Sequence, residues 1–261
     1  MKLLEAQNIT MQFGGLKAVD QLSFHIQQGE LMGLIGPNGA GKTTVFNMLT
    51  GVYRPTLGEV VFDGKTITGL KPYQISRLGV TRTFQNIRLF KDLSVLQNVL
   101  VASNQHLSYG MAAPVLKTKG FLSQEKEAQE KALQLLSIFG LEKKAQDEAS
   151  SLPYGEQRKL EIIRALATEP KLICLDEPAA GMNHQETHHL METIAKIRKD
   201  FKLTVLLIEH DMKLVMGICE RIVVLDHGCK IEEGTPRQVQ SSAKVIEAYL
   251  GTDAELQGGS V

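Results

Sequence analysis

Gly36-Pro37-Asn38-Gly39-Ala40-Gly41-Lys42-Thr43, followed by a second threonine at Thr44, decides how this 261-residue chain is read. The spacing is G-x-x-x-x-G-K-[ST], the pattern of a loop that closes around phosphate. Its setting suits it: the apolar run Leu31 to Ile35 predicts a buried strand before the loop, and Thr43 to Thr50 a helix after it. Glycines let backbone N–H groups approach phosphate oxygens where a β-carbon would obstruct them. The helix that begins inside the motif aims its partly positive N-terminus at the same anion. Lys42 is then placed to neutralise the β- and γ-phosphates, and the Thr43 hydroxyl to ligate Mg²⁺. The stretch predicts a nucleoside triphosphate as ligand.

The chain around the loop has the length of one α/β domain carrying a subdomain. Hydrophobic residues at 43% and charged residues at 22% suit a globular protein with a full core. Twenty-nine basic and 29 acidic residues cancel, so no net field recruits a polyanion and nucleic acid is not an expected partner. Cys174, Cys219 and Cys229 are odd in number and lack metal-ligand spacing; two lie in or beside apolar runs, so buried thiols in a reducing compartment are expected. Met1 to Ala6 lacks the long apolar stretch of a signal peptide, and no apolar run approaches the roughly 18 residues that span a bilayer. Membrane association is expected only through another protein.

Upstream of the loop, Leu3-Leu4-Glu5-Ala6, Thr10-Met11-Gln12-Phe13, the Gly14-Gly15 turn and the alternating Val19 to Ile26 predict antiparallel strands. Downstream, Pro55 to Glu59 reads as a loop, Val60-Val61-Phe62 as a strand closed by the Asp63-Gly64 turn, Tyr73 to Leu78 as a short helix and Gly79 to Phe84 as a strand. At Gln85 the texture changes. Residues 86–165 carry helical patterns, with Leu93, Leu96, Val99 and Leu100 at helical spacing and a helix from Glu125 to Phe139 stopped by Gly140. Residues 105–122 read as a looser connection. Beyond them come helix 157–168, strand Leu172 to Leu175, helix 185–199, strand Leu203 to Ile208, helix 211–219, a hairpin of Ile222 to Leu225 with Cys229 to Glu232, and a terminal helix ending near Leu250. Strands alternating with helices predict a mostly parallel sheet covered on both faces. The expected organisation is one domain over 1–250, with a core of 1–85 and 166–250, a helical subdomain of about 86–165 and a flexible tail at 251–261.

Four further stretches follow the loop in order. Gln85, in Thr83-Phe84-Gln85-Asn86, sits at the texture break, and Ser151-Leu152-Pro153-Tyr154-Gly155-Glu156-Gln157 opens a helix. Leu172-Ile173-Cys174-Leu175-Asp176-Glu177 is an apolar strand ending in two acids. Asp176 at its carboxyl end faces the loop mouth and can hold Mg²⁺, and Glu177 can polarise an attacking water. Ile208-Glu209-His210-Asp211 closes another buried strand. In this order the stretches resemble the ATPase subunit of an ABC transporter over roughly residues 3 to 250. The resemblance implies an α/β P-loop NTPase cassette, with a RecA-like parallel core, an N-terminal antiparallel β-subdomain and an inserted helical subdomain. It implies that the chain binds ATP with Mg²⁺, that His210 senses the γ-phosphate, and that Gln85 ligates Mg²⁺ or contacts the attacking water at a hinge. Phe13 lies where an aromatic residue stacks on adenine, although an apolar strand residue fits the position nearly as well.

Residues 151–157 take the place of the family's L-S-G-G-Q signature. Only Leu152 and Gly155 match it; Pro153 stands at the serine, Tyr154 at the first glycine and Glu156 at the glutamine. In the family two cassettes pair head to tail, each ATP lying between one P-loop and the opposite signature, so a single copy of each motif implies half of the assembly. The departures favour a second, related ATPase subunit as partner. Thr81 to Phe90, the Leu-x-Tyr-Gly variant, Glu177 to Asn183, Glu209 to Met216 and Val245 to Gly251 resemble the branched-chain amino-acid importer ATPases. That likeness implies transmembrane permease subunits, indirectly a solute-binding protein, and a peripheral place on the cytoplasmic face of the plasma membrane. Leu89, Phe90, Leu93 and Leu96 either line a groove for a permease helix or fill the helical core. Another ABC system such as lipopolysaccharide export, a non-transport ABC ATPase, or a regulatory nucleotide-binding module remains open from sequence.

Overall fold

The computed structural model describes residues 1–104 and 119–249. Strands β1 (Lys2–Phe13) and β2 (Leu16–Gln27) form a long antiparallel hairpin, to which β4 (Leu57–Phe62) and β5 (Lys65–Thr66) add in the order β2-β1-β4-β5. A second sheet has six strands: β3 (Leu31–Ile35), β6 (Val80–Arg82), β7 (Leu172–Asp176), β8 (Thr204–Ile208), β9 (Arg221–Asp226) and β10 (Cys229–Gly234), in the order β10-β9-β3-β8-β7-β6. Every pairing in it is parallel except β9 with β10.

β3, β7 and β8 are buried at all five positions, because both faces of the parallel sheet are covered. The two-residue alternation divides them. Met32, Leu34, Leu172, Cys174, Leu206 and Ile208 join the core shared with the antiparallel sheet and with α1 (Lys42–Leu49). Leu31, Ile35, Ile173, Leu175, Val205 and Leu207 face the other core. That second core takes in α3 (Val95–Ser103), α4 (Lys119–Ile138), α5 (Tyr154–Leu166) and α6 (His184–Asp200). Shorter helices include α2 (Pro72–Leu78), α7 (Met212–Ile218) and α8 (Pro236–Ser241).

Several boundaries differ from the sequence expectation, each for a local reason. The two expected N-terminal segments are one strand, because Asn8 at φ 47° takes up a register shift between Ala6 and Ile9 and pairing continues past it. β4 starts at Leu57, inside the expected loop, since Leu57 and Glu59 pair with Thr10 and Gln7 of β1. Helix α5 begins at Tyr154, three residues before expectation, with Pro153 as its N-cap. Leu93 lies outside α3, whose capping box is Ser94 with Gln97. The expected terminal helix is two pieces, α8 and residues 243–249, parted at Ser242. Of the expected connection, 105–118 lies outside the described residues while 119–122 already belongs to α4; the expected tail at 251–261 also lies outside them.

The topology sets the position of the site. Ile35, Asp176 and Ile208 end neighbouring parallel strands, with Asp176 in register with Ile208. Gly36, Glu177 and Glu209-His210 therefore leave the same carboxyl edge of the sheet.

Candidate active site

The glycines of the loop answer to the protein as much as to phosphate. A Cβ on Gly36 would sit 2.1 Å from the Leu225 carbonyl oxygen, and one on Gly41 (φ 100°) 2.5 Å from that of Ala18. Lys42, 6% exposed, donates to the carbonyls of Gly36 and Pro37 at 2.7 Å each. Burial pushes its ammonium below the usual lysine range, against the pull of Glu177 and Asp176. Asn38, Gly39, Ala40, Gly41, Lys42, Thr43 and Thr44 line a cavity of about 260 Å³ that Gln85, Glu177 and His210 complete.

Those last three residues arrive from 33 to 125 positions away in sequence and meet through Glu177. The Glu177 Oε1 atom lies 2.6 Å from His210 Nε2, and its Oε2 accepts from Gln85 Nε2 at 3.3 Å. Glu177 has φ 47°, a left-handed conformation uncommon outside glycine, and its N–H donates to the Ile208 carbonyl at 3.0 Å. The strained turn carries the carboxylate off the end of β7 into the cavity.

Asp176 is 1% exposed. Its Oδ2 accepts from Arg82 at 3.1 Å, while its buried Oδ1 has no hydrogen-bond partner among the described residues. Burial pushes its carboxyl above the usual carboxylate range, and Arg82 opposes that. Asp176 does not itself line the cavity, but its charge acts on Lys42, and a buried carboxylate oxygen left open there fits a hard divalent cation such as Mg²⁺, with the exposed Thr43 hydroxyl as a second oxygen ligand.

The structure does not bring every sequence candidate to the cavity. Gly36 and Pro37 serve through the carbonyls that hold Lys42. Phe13 is 43% exposed at the end of β1, edge-on to Tyr53 with ring centroids 5.4 Å apart. None of Pro153, Tyr154, Gly155 and Glu156 lines the cavity. Glu156 pairs with Lys144 at 2.6 Å, and the half-exposed Tyr154 ring stands where a Cβ on Gly181 would meet it at 2.8 Å.

Three residues were missed by sequence reasoning. Arg82 was read only as part of a family-like stretch, yet it anchors Asp176 and donates to Asn47 at 2.6 Å. Ala18 lines the cavity from β2 with no chemical signal to mark it. Tyr249, in the terminal Ala248-Tyr249 pair, reaches the Gly36 N–H; burial pushes its hydroxyl up to about 12.

A family model for ABC transporters matches residues 19–180. The chain is an ATP-binding cassette of the ABC transporter family. The cassette's residues 229–255 also match a model described as branched-chain amino acid ATP-binding cassette transporter. It is 49% identical to the high-affinity branched-chain amino acid transport ATP-binding protein BraF of Pseudomonas aeruginosa, over 95% of this chain and 98% of that protein. To the correspondingly named LivG of Escherichia coli K12 it is 48% identical over the same shares. Among solved structures, an ABC transporter cassette in its ADP conformation matches with a TM-score of 0.83 at 32% identity, covering 96% of this chain and 99% of that one. A dimeric cassette in a post-hydrolysis state bound to ADP and Pi matches with a TM-score of 0.76 at 25% identity, over 90% and 99%.

Proposed function

We propose that this cassette is the ATP-hydrolysing, energy-coupling subunit of a multi-chain importer for branched-chain amino acids. The observation that carries the chemistry is the meeting of Gln85, Glu177 and His210 over the P-loop cavity. Lys42 exchanges its two loop carbonyls for β- and γ-phosphate oxygens, which a desolvated ammonium binds strongly. Thr43, Asp176 and Gln85 would hold Mg²⁺, which when bound neutralises charge on the phosphates. Glu177 accepts a proton from the attacking water, and His210 holds Glu177 and contacts the γ-phosphate. Exposed Phe13, edge-on to the partly buried Tyr53, offers an aromatic face for adenine.

Supporting the transport reading are the relatives' printed functions and the C-terminal match. Pro153 to Glu156 lie away from this chain's own cavity, which suits a signature that completes the site of another subunit. Pro153 has neither hydroxyl nor N–H to offer a phosphate, so pairing with a related subunit of more regular signature is the favoured assembly. The nucleotide held by this chain then turns over faster than the one opposite. Phe90, 47% exposed, remains available to a permease helix, whereas Leu96 is core. No described helix is long and apolar enough to cross a membrane, and attachment to the cytoplasmic face is assigned to the permease subunits. The test is purification from native membranes followed by ATPase assay. Co-purifying permease chains, a second cassette and stimulation by leucine, isoleucine or valine with a binding protein are expected. Full activity of the chain alone, with ATP-driven self-dimerisation, would refute the heterodimer; stimulation by an unrelated solute would refute the substrate class.

A further inference from the structure

Helix α5 buries charge as well as its apolar face. Arg158 is 2% exposed and Glu161 5%. The Arg158 guanidinium donates to the Phe84 carbonyl at 2.8 Å and to the Gln85 carbonyl, and lies 3.4 Å from Glu161 Oε2. Glu161 Oε1 accepts from the Phe84 N–H at 3.2 Å, and the Arg88 N–H also bonds to this carboxylate. One turn further on, Arg164 donates to the Arg88 carbonyl. The main chain of 84–88, which carries Gln85, is thus held by three side chains of one helix.

A buried ion pair is a weak source of stability, since apolar residues of the same volume often serve as well. This pair supplies hydrogen bonds to a loop that has left the sheet and has no ladder to satisfy its main chain. Planar Arg158 bridges two successive carbonyls, which a lysine ammonium cannot hold in the same fork. The same guanidinium sits 5.5 Å from the ring of Tyr154, four residues earlier on the helix.

We propose that Arg158, braced by Glu161, is the positioning residue that makes the Gln85 loop and the start of α5 move as one. A displacement of Gln85 towards nucleotide then carries Pro153 to Glu156 with it, so occupancy of this chain's cavity reaches the face offered to the other subunit. The transport consequence rests on the importer reading above; the mechanical link does not.

The experiment is amide hydrogen exchange on the full chain, with and without ATP, for wild type, Arg158→Lys and Glu161→Gln. In wild type ATP is expected to alter exchange in both 84–88 and 154–158. In Arg158→Lys exchange in 84–88 should rise about tenfold, ATP should still alter 84–88, and 154–158 should no longer respond. A simple packing role would instead raise exchange throughout α5 and lower the unfolding midpoint. If Arg158→Lys does not fold, Glu161→Gln, which keeps an acceptor for Phe84, is read by the same criterion. In the assembled complex, solute-stimulated ATPase should fall at least fivefold with basal rate within twofold of wild type. An ATP response that still reaches 154–158 in both variants overturns the link. A wild-type complex that solute does not stimulate overturns the importer reading and leaves the exchange result standing.

Discussion

Replacing Glu177 by glutamine separates chemistry from architecture in this cassette. The carboxylate accepts at two atoms, from Gln85 at 3.3 Å and beside His210 at 2.6 Å. A glutamine amide keeps one acceptor and gains a donor, so at most one hydrogen bond is lost, with a net effect on folding of no more than about 0.5–1.5 kcal/mol. Nucleotide binding is expected to hold or tighten, because a negative charge facing the γ-phosphate disappears. Loss of a general base lowers the rate by roughly a hundred- to ten-thousand-fold. At about 1.36 kcal/mol per decade this adds about 2.7–5.4 kcal/mol to the barrier, well above the folding effect. The assays are steady-state ATPase of the assembled complex, nucleotide affinity by fluorescence titration and urea unfolding. ATP hydrolysis within threefold of wild type would refute Glu177 as the base. A tenfold loss of nucleotide affinity would show that the carboxylate serves in binding.

Lys42→Ala removes the charge aimed at the phosphates and both loop-closing hydrogen bonds, so nucleotide affinity should fall at least a hundredfold, read by the same titration. Arg82→Met leaves Asp176 buried without its partner and should destabilise the chain by about 3–5 kcal/mol at pH 8, measured by urea unfolding. Burial raises the Asp176 carboxyl above its ordinary value, so the folded chain holds that proton more tightly than the unfolded one. This group's contribution to stability therefore falls as pH rises from the ordinary carboxylate range through the raised value, and the Arg82→Met defect should shrink towards pH 5; a defect that grows in acid would contradict the pairing. Iodoacetamide should label one thiol quickly, the exposed Cys229. Burial pushes the Cys174 and Cys219 thiols up to about 12, so both should react only on unfolding, as mass spectrometry would show.

The phosphate loop, the acidic strand end and the order of strands and helices were legible in the linear sequence because each is a local pattern. Short, largely apolar runs specify buried parallel strands at β3, β7 and β8, and glycine spacing specifies the loop. Element ends were less legible where a distant partner decided them: β1 completes β4, and Asn8 absorbs a bulge that keeps β1 whole. Of the site, Gln85, Glu177 and His210 were identifiable by type and position, but only the tertiary structure joined them through one carboxylate, because their contact requires neighbouring strands to end in register. Arg82 and Arg158 were invisible as functional residues for the same reason. A buried arginine is defined by the carbonyls and carboxylates that surround it, and those lie 73 to 94 residues away for Asp176, Phe84 and Gln85 or three residues along a helix for Glu161. Sequence determined which groups were available; the sheet edge and the inward face of α5 decided which of them meet.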